Sequence, residues 1–480
     1  MKIKKKKVST ASLLSFILLA SMIGAYIIYF SVFTITRYKT LYASYFDLGI
    51  MHQTVHNTYQ SIRTGDLSSF LELSNPHGVG HVKRMAVHND ILLAPIALLY
   101  FLYSGPETLL ILQTVVLGLG AVFVYFLANL LIRSRLISLA SSFAWLMYTP
   151  MQRANIFDFH AVTIATTTLL GMIYFWKTKH RRLAFLMFLL SLASKEQVAI
   201  TTLFFGAYVF YIERKLSKFV LGIFFVSIVW FALSMLVIIP YFRGSEHFAL
   251  EYYSNEGLTV VQKIYRHDTY RYFLYLLGPL GFLSFLSLPV LAIATPEFAI
   301  NLLSNSWNMR NIIYHYTSVI QPFVFFSSIV SIAWISQKRF FKTQPRRSIF
   351  IIGITIYIIF FTLLFSCLKG PLPFSCEPER YPFTSPQKES ADVYMWSRIL
   401  KNDRLKISST GQLSPFFTSR RYFYDFSEQY TQADYILIRL KEVYSYPEKK
   451  KLIPVYEKLI QDKRFTLIYK KNELEVFKKI

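Results

Sequence analysis

Long apolar runs separated by short polar segments occupy most of this chain, a pattern typical of membrane-spanning helices. The first run covers about residues 11–35. The others lie at about 107–132, 135–150, 160–176, 181–194, 197–212, 217–241, 271–284, 287–303, 312–336 and 347–368. An α-helix needs about 20 apolar residues to cross the hydrocarbon layer of a bilayer. The pattern therefore predicts an all-α polytopic membrane bundle of about eleven transmembrane helices.

The first run follows five lysines, so a cleaved signal peptide and a retained helix are the two interpretations. Its length exceeds the apolar core of a signal peptide, and no small-residue cleavage site follows it. We therefore expect a retained first span with its lysines in the cytoplasm.

The distribution of charge gives an independent test of this topology. With the N-terminus inside, the predicted inner loops and their flanks hold nineteen basic residues and one acid, Glu213. The other acids and nine of the ten histidines fall on the opposite side. Because cytoplasmic loops are enriched in Lys and Arg, we expect a multi-pass protein of the cytoplasmic (inner) membrane. Its functional groups then face the extracytoplasmic side.

Composition narrows the class of protein further. Hydrophobic residues make up 54% of the chain and charged residues 16%, too few charges to cover a soluble protein of 480 residues. The net charge of +25 does not indicate a nucleic-acid partner, since such proteins are not built from long apolar runs. Two cysteines, Cys367 and Cys376, exclude a disulfide-rich fold and leave either a disulfide or two free thiols.

Two domains are predicted, a transmembrane domain at 1–371 with a long first outer loop at 36–106, and a small extracytoplasmic α/β domain at 372–480. The loop is expected to hold an amphipathic helix (47–62) and an interfacial or re-entrant segment (91–103). In the tail we predict helices at 389–400 and 448–462, and strands at 406–409, 422–426, 435–440, 465–469 and 473–477.

Six polar groups on the predicted outer side are candidates for function. They are Asp47 with Gln53; His81, Lys83, Arg84 and His88; Asp158 with His160; Lys195 with Glu196; Glu297; and His315 with Tyr316. Most have a structural alternative: the aspartates are equally consistent with helix caps, the histidines with solvated loop residues, and Lys195 and Glu196 with a mutually neutralising pair. Glu297, within an apolar helix, is a functional candidate by position alone. Together they predict one outward-facing cavity.

Several of these residues stand in segments that resemble a family of predicted bacterial and archaeal membrane proteins of unknown function. The segments are 46–49 with Gln53, His88 with 92–95, 106–113, 157–160, 195–196, 296–298, 315–316 with Pro322, and 413–415 with 419–421. The resemblance extends over about residues 40–440. It identifies the chain as a member of that family without implying an activity.

The helix order, with an acid just after the first span, also resembles integral-membrane glycosyltransferases of the C type (GT-C). That resemblance implies a polyprenyl-phosphate-linked sugar as donor, membrane lipid around the site, and a glycan, lipid or protein acceptor. Asp47 matches the first family acid, and Asp158 is the counterpart of the second. The pattern departs in lacking an Asp-x-Asp pair at Asp47, so a divalent metal is compatible with the resemblance but not required by it.

The resemblance leads to a mechanistic hypothesis in which Asp47 removes the proton of an acceptor hydroxyl. Lys83, Arg84 or Lys195 would hold the carrier phosphate, and His88 or His160 would orient the acceptor or the phosphate. Two other functions stay open at this point. One is a transporter or flippase for a lipid-linked sugar, which would place ionisable groups at the bilayer midplane; the other is a non-catalytic envelope scaffold.

Overall fold

The computed structural model describes residues 10–43, 46–254, 259–341, 343–379 and 385–480. The five N-terminal lysines and Lys342, which belong to the nineteen basic residues of the predicted inner loops and their flanks, lie outside these ranges. The α-helices up to residue 371 are α1 (Thr10–Lys39), α2 (Asp47–Thr64), α3 (Leu93–Ile96), α4 (Glu107–Ile132), α5 (Arg135–Leu146), α6 (Thr149–Phe157), α7 (Ala161–Lys177), α8 (Arg181–Leu192), α9 (Val198–Glu213), α10 (Lys218–Leu233), α11 (Ile239–Arg243), α12 (Val260–Ile264), α13 (His267–Leu277), α14 (Leu288–Leu291), α15 (Thr295–Leu303), α16 (Gln321–Ser336) and α17 (Gln344–Lys369).

Five helical segments among the described residues are long and apolar enough to cross a membrane. They are Thr10–Lys39, Glu107–Ile132, Lys218–Arg243, Leu283–Leu303 and Gln344–Lys369. Two shorter apolar helices, α9 and α16, accompany them. The chain is therefore a mostly helical multi-pass membrane protein, and the count of eleven spans stays a prediction.

The predicted run at 135–150 is not a single helix in the structure. It is divided into α5 and α6, which meet at Met147 and Tyr148. Pro150 lies in the first turn of α6, where its missing N–H costs nothing because the first amides of a helix have no partner within the helix. The proline thus begins a second helix instead of extending the first.

The long loop predicted at 36–106 contains the expected amphipathic helix and a short hairpin. Helix α2 begins at Asp47, as expected, and ends at Thr64 before Gly65. Strands β1 (Glu72–Ser74) and β2 (His81–Lys83) pair in antiparallel register. The apolar segment that follows forms α3 and a 3-10 turn (Ala97–Phe101).

The tail forms the predicted small α/β unit. Its elements are α18 (Ser390–Ile399), β3 (Ile407–Ser409), β4 (Phe423–Asp425), β5 (Tyr435–Arg439), α19 (Leu440–Tyr444), α20 (Lys449–Gln461), β6 (Phe465–Lys471) and β7 (Leu474–Lys479). The strand order is β4-β3-β5-β7-β6, with β3 parallel to both β4 and β5 and the remaining pairs antiparallel. Each predicted strand overlaps an observed one.

The tail packs directly against α2 and the β1–β2 hairpin. The His52 imidazole lies 2.8 Å from the Ser419 hydroxyl, and the Gln53 amide donates to the Arg421 carbonyl oxygen at 3.0 Å. Arg421 in turn forms an ion pair with Glu72 of β1 at 2.8 Å. Because α2 begins at Asp47, these contacts fix the helix that carries the first candidate acid.

Gly49 of α2 marks the closest approach between this helix and the tail. A Cβ at this position would lie 2.1 Å from Oγ and 2.8 Å from Cβ of Ser414. We expect Gly49→Ala to lower the free energy of unfolding by about 1–3 kcal/mol, as overpacking of an interior does. Thermal unfolding in detergent measures the change.

Two further variants control this prediction. Gly24→Ala in α1 places its Cβ in open space and should leave the melting temperature near that of the wild type. Ser414→Gly, combined with Gly49→Ala, removes the clashing atoms and should restore stability. If the double variant is no more stable than Gly49→Ala, steric conflict with Ser414 is not the cause.

Candidate functional site

A cavity of about 430 Å³ lies where α2, the chain after β2 and the loops before α7, α9 and α16 meet. Its polar lining includes Asp47, His88, His160, Lys195, Glu196 and His315. These residues come from segments up to 268 positions apart in the sequence. The structure therefore brings together members of five of the six predicted polar groups.

The Asp47 carboxylate is half-buried at this cavity. It does not cap α2, because Phe46 holds the capping position, and no described side chain or amide hydrogen-bonds to it. Burial raises the pKa of Asp47 to about 6, an effect that Arg84 partly offsets. A carboxylate with a raised pKa and free lone pairs suits proton abstraction near neutral pH.

Lys195 places a cation in the same cavity. The residue is 8% exposed, and its ammonium lies over the Tyr316 ring, 5.9 Å from the ring centre. Its ammonium makes no hydrogen bond or ion pair within the part of the chain that the structure describes. A buried ammonium in that state favours an anionic ligand, since the Tyr316 ring and nearby carboxylates offset its desolvation only in part.

Two histidines form a stack beside Lys195. The rings of His160 and His315 lie 3.8 Å apart at an interplanar angle of 22°. Both rings line the cavity, so the stack forms part of its polar wall.

The turn that carries His160 is held by Gln113 of α4. The Gln113 amide nitrogen donates to the carbonyl oxygens of Asn155 and Asp158, both at 3.0 Å. Its amide oxygen accepts from the His160 amide at 3.0 Å and the Thr163 hydroxyl at 2.7 Å. Asp158 has φ 134° and ψ 176°, a region costly for any residue but glycine. Gln113 thus stabilises a strained turn.

We expect Gln113→Leu to destabilise the protein by about 3 kcal/mol or more, because each buried peptide group left unpaired costs about 1–3 kcal/mol. The melting temperature in detergent measures this loss. The exposed Gln337 at the end of α16 provides the control, since Gln337→Leu should change stability little. A melting temperature of Gln113→Leu equal to that of the wild type would refute the bracing role.

Glu196 organises a second cluster. Its Oε1 accepts from His88 Nδ1 at 2.9 Å and from His247 Nε2 at 3.2 Å, and its Oε2 accepts from the Asn89 amide at 3.0 Å. Burial alone would raise the pKa of Glu196, but the hydrogen bonds and nearby positive charge hold that pKa well below its ordinary range. Burial and Lys195 lower the pKa of His88 to about 3.

The side chains of His88, Glu196 and His247 are close enough to one another to bind a metal, since their ligand atoms all lie within 4.8 Å of one another. The hydrogen bonds argue against that use. The Ala249 amide donates to His247 Nδ1 at 3.0 Å, so the proton of the neutral ring is on Nε2, the atom that a metal would need. Metal-binding histidines instead donate from their second nitrogen. The cluster is therefore better suited to hydrogen bonds between its own side chains than to binding a metal ion.

Several predicted residues lie elsewhere. Gln53 and His81 bind the tail, the latter through the Phe423 carbonyl oxygen at 3.1 Å, and Lys83 donates to the carbonyl oxygens of Ser68 and Phe70. Asp158 forms an ion pair with Arg37 at 4.0 Å and is not part of the cavity wall.

Two others lie at or near the cavity with partners of their own. Arg84 lines it but makes a two-pronged ion pair with the Asp90 carboxylate at 2.8–3.1 Å. Glu297 is buried and accepts from Gln197 at 3.0 Å. Sequence reasoning missed His247, which lies in a tyrosine-rich loop without a local signal, and the bracing role of Gln113, which a polar residue inside an apolar helix could have indicated.

The cavity also has apolar lining residues, among them Ile200, Phe231 and Met235. Met235 lies in a π-helical segment, Ser234–Ile238, which follows α10. Such segments recur at functional sites. Ser234 accepts from the Asn89 side chain at 2.7 Å. Phe231 and Met235 belong to Lys218–Arg243, one of the segments long and apolar enough to cross a membrane, so a candidate membrane helix forms part of the cavity wall.

Comparison with known proteins identifies the family. No curated protein matches the chain significantly. A family model described as "Predicted membrane protein (DUF2079)" matches residues 37–476, which include the bundle after the first span and nearly all of the tail. The chain belongs to this family of predicted membrane proteins.

Proposed function

We propose that this protein is a glycosyltransferase of the C type, which moves a sugar from a polyprenyl-phosphate carrier to an acceptor hydroxyl. One observation carries the proposal: a single cavity holds the buried Lys195 ammonium, the half-buried Asp47 carboxylate and an apolar wall. Lys195 would bind the carrier phosphate, and the apolar wall would contact the first isoprene units.

The chemical step is an inverting displacement. Asp47 takes the proton of the acceptor hydroxyl, and the acceptor oxygen attacks the anomeric carbon. The bond between that carbon and the phosphate oxygen breaks, and its electron pair goes to the departing polyprenyl phosphate. Lys195 stabilises the charge that develops on this leaving group. Asp158 has no step in this mechanism, because its carboxylate pairs with Arg37.

The proposal includes a membrane orientation. The chain would cross the cytoplasmic membrane about eleven times with its N-terminus inside, which would place the cavity and residues 372–480 on the extracytoplasmic side. The basic residues of the predicted inner loops support this orientation. The position of α1 also supports it, since α2 and Asp47 follow directly after the predicted outer end of this span.

The experiment uses the full chain in nanodiscs with radiolabelled polyprenyl-phosphate hexoses and pentoses. Carrier-dependent release of sugar to water, or transfer to envelope glycans and lipids, supports the proposal. Movement of the intact lipid-linked sugar across a proteoliposome bilayer without release would favour transport instead. If no carrier binds, the proposal fails.

A further inference from the structure

The proposed mechanism gives no role to His88 and Glu196, although the direction of the hydrogen bonds around Glu196 fixes which nitrogen of His88 carries the proton. His88 Nδ1 lies 2.9 Å from the carboxylate, and an ionised carboxylate only accepts hydrogen bonds. The neutral His88 ring must therefore carry its proton on Nδ1. Its second nitrogen, Nε2, then has a lone pair, and no described residue lies within hydrogen-bonding distance of it.

The environment keeps this tautomer in place. Glu196 also accepts from His247 and from the Asn89 amide, so three donors fix the position of the carboxylate. The His88 side chain is 18% exposed, against 4% for Glu196, and it lines the cavity. The accessible part of this cluster is thus a hydrogen-bond acceptor without charge.

A neutral acceptor and a cation select different chemical groups. A phosphate oxygen carries only lone pairs and is repelled by the lone pair of Nε2, whereas a hydroxyl can donate to it. Lys195, which suits the phosphate, lines the same cavity as His88 and is near enough for its charge to help lower the pKa of His88. A hydroxyl bound at His88 therefore belongs to a group attached close to the phosphate.

We propose that His88, fixed by Glu196, is a sugar-recognition site that accepts a hydrogen bond from a hydroxyl of the carrier-linked sugar. This inference rests on the proposed function and deepens it. It divides the cavity into a phosphate site at Lys195 and a hydroxyl site at His88. Glu196 is a positioning residue that acts through the imidazole.

The test compares two probes, polyprenyl phosphate and polyprenyl-phosphate hexose, for binding to the full chain in nanodiscs. The wild-type protein should bind polyprenyl-phosphate hexose more tightly than polyprenyl phosphate. In His88→Phe and Glu196→Gln the hexose-dependent gain should fall about tenfold or more, because a buried hydroxyl loses its acceptor, while affinity for polyprenyl phosphate is kept or, in Glu196→Gln, increased by the loss of a negative charge. Glu196→Gln acts because its amide can donate to Nδ1, which moves the ring proton to Nε2.

Glu213→Gln is the matched control, since Glu213 pairs with Arg181 outside the cavity and should leave both affinities unchanged. Equal losses for both probes in the His88 and Glu196 variants would show a merely structural role and overturn the inference, as would the absence of any loss. If wild type binds neither probe, the proposed function fails and the hydroxyl site fails with it. If the variants still transfer sugar and the hexose still increases their affinity as much as in wild type, the hydroxyl site is refuted and the proposed function is not.

A second measurement reads the tautomers without a ligand. Solid-state ¹⁵N NMR of histidine-labelled protein should show a protonated Nδ1 for His88 and a protonated Nε2 for His247, with signals assigned by His88→Gln and His247→Gln. The opposite tautomer at His88 would overturn the inference. One equivalent of zinc in the purified protein, lost in Glu196→Gln, would overturn it as well.

Discussion

Asp47→Asn should reduce the rate of sugar transfer by about 10²–10⁴-fold, the usual contribution of a general base. The amide keeps the size of the side chain but cannot accept the proton. Affinity for polyprenyl phosphate should be kept or increased, because the variant removes a negative charge from the cavity that binds an anion. Single-turnover transfer and equilibrium binding separate these two effects.

The pH dependence provides a second readout of the same residue. Because burial raises the pKa of Asp47 to about 6, the carboxylate becomes protonated as the pH falls through 6. The wild-type rate should therefore rise with pH through about 6 and level off above it. Asp47→Asn should lack this rising limb.

Asp158→Asn is the informative comparison, since sequence reasoning gave both aspartates a catalytic role. Its carboxylate lies 4.0 Å from Arg37, outside the cavity wall, so the substitution should lower thermal stability and leave the shape of the pH profile unchanged. Full transfer activity in Asp47→Asn would remove Asp47 from the role of base. Loss of the rising limb in Asp158→Asn alone would transfer that role to Asp158.

Lys195→Met should weaken binding of polyprenyl phosphate by about 10- to 100-fold. A hydrogen bond to a charged partner contributes about 1.5–3 kcal/mol, and Met replaces the ammonium with an apolar group of similar length. The loss should be the same with and without a sugar on the carrier, in contrast to the effect expected at His88. Titration of the lipid into labelled nanodiscs measures it.

Lys83→Met is the control for charge in the long loop at 36–106. Lys83 donates to backbone carbonyl oxygens at 2.6 and 2.9 Å and does not line the cavity, so its removal should leave affinity for the lipid unchanged. Should Lys83→Met weaken binding as much as Lys195→Met does, long-range charge and not a defined phosphate site would account for both results.

The amino-acid sequence by itself determined the class of this protein and many of its elements. Helices α1, α4 and α17 lie close to the predicted runs, because apolar length and flanking charge are local properties that a bilayer selects directly. The strands of the tail were predicted for a similar reason, since short runs of β-branched and aromatic residues bounded by turn residues are visible within a few positions. Pro150 shows the limit, because a proline can equally begin a helix.

Only the tertiary structure decided which polar residues share a cavity. Asp47, Lys195 and His315 are separated by more than a hundred residues each, and no local pattern shows that they meet. Gln53, His81 and Lys83 look equivalent to them in sequence, yet they bind the tail or backbone carbonyl groups. The physical reason is that a polar side chain buried on folding must find a partner, and the packing of distant segments determines whether that partner is protein or is left for a ligand.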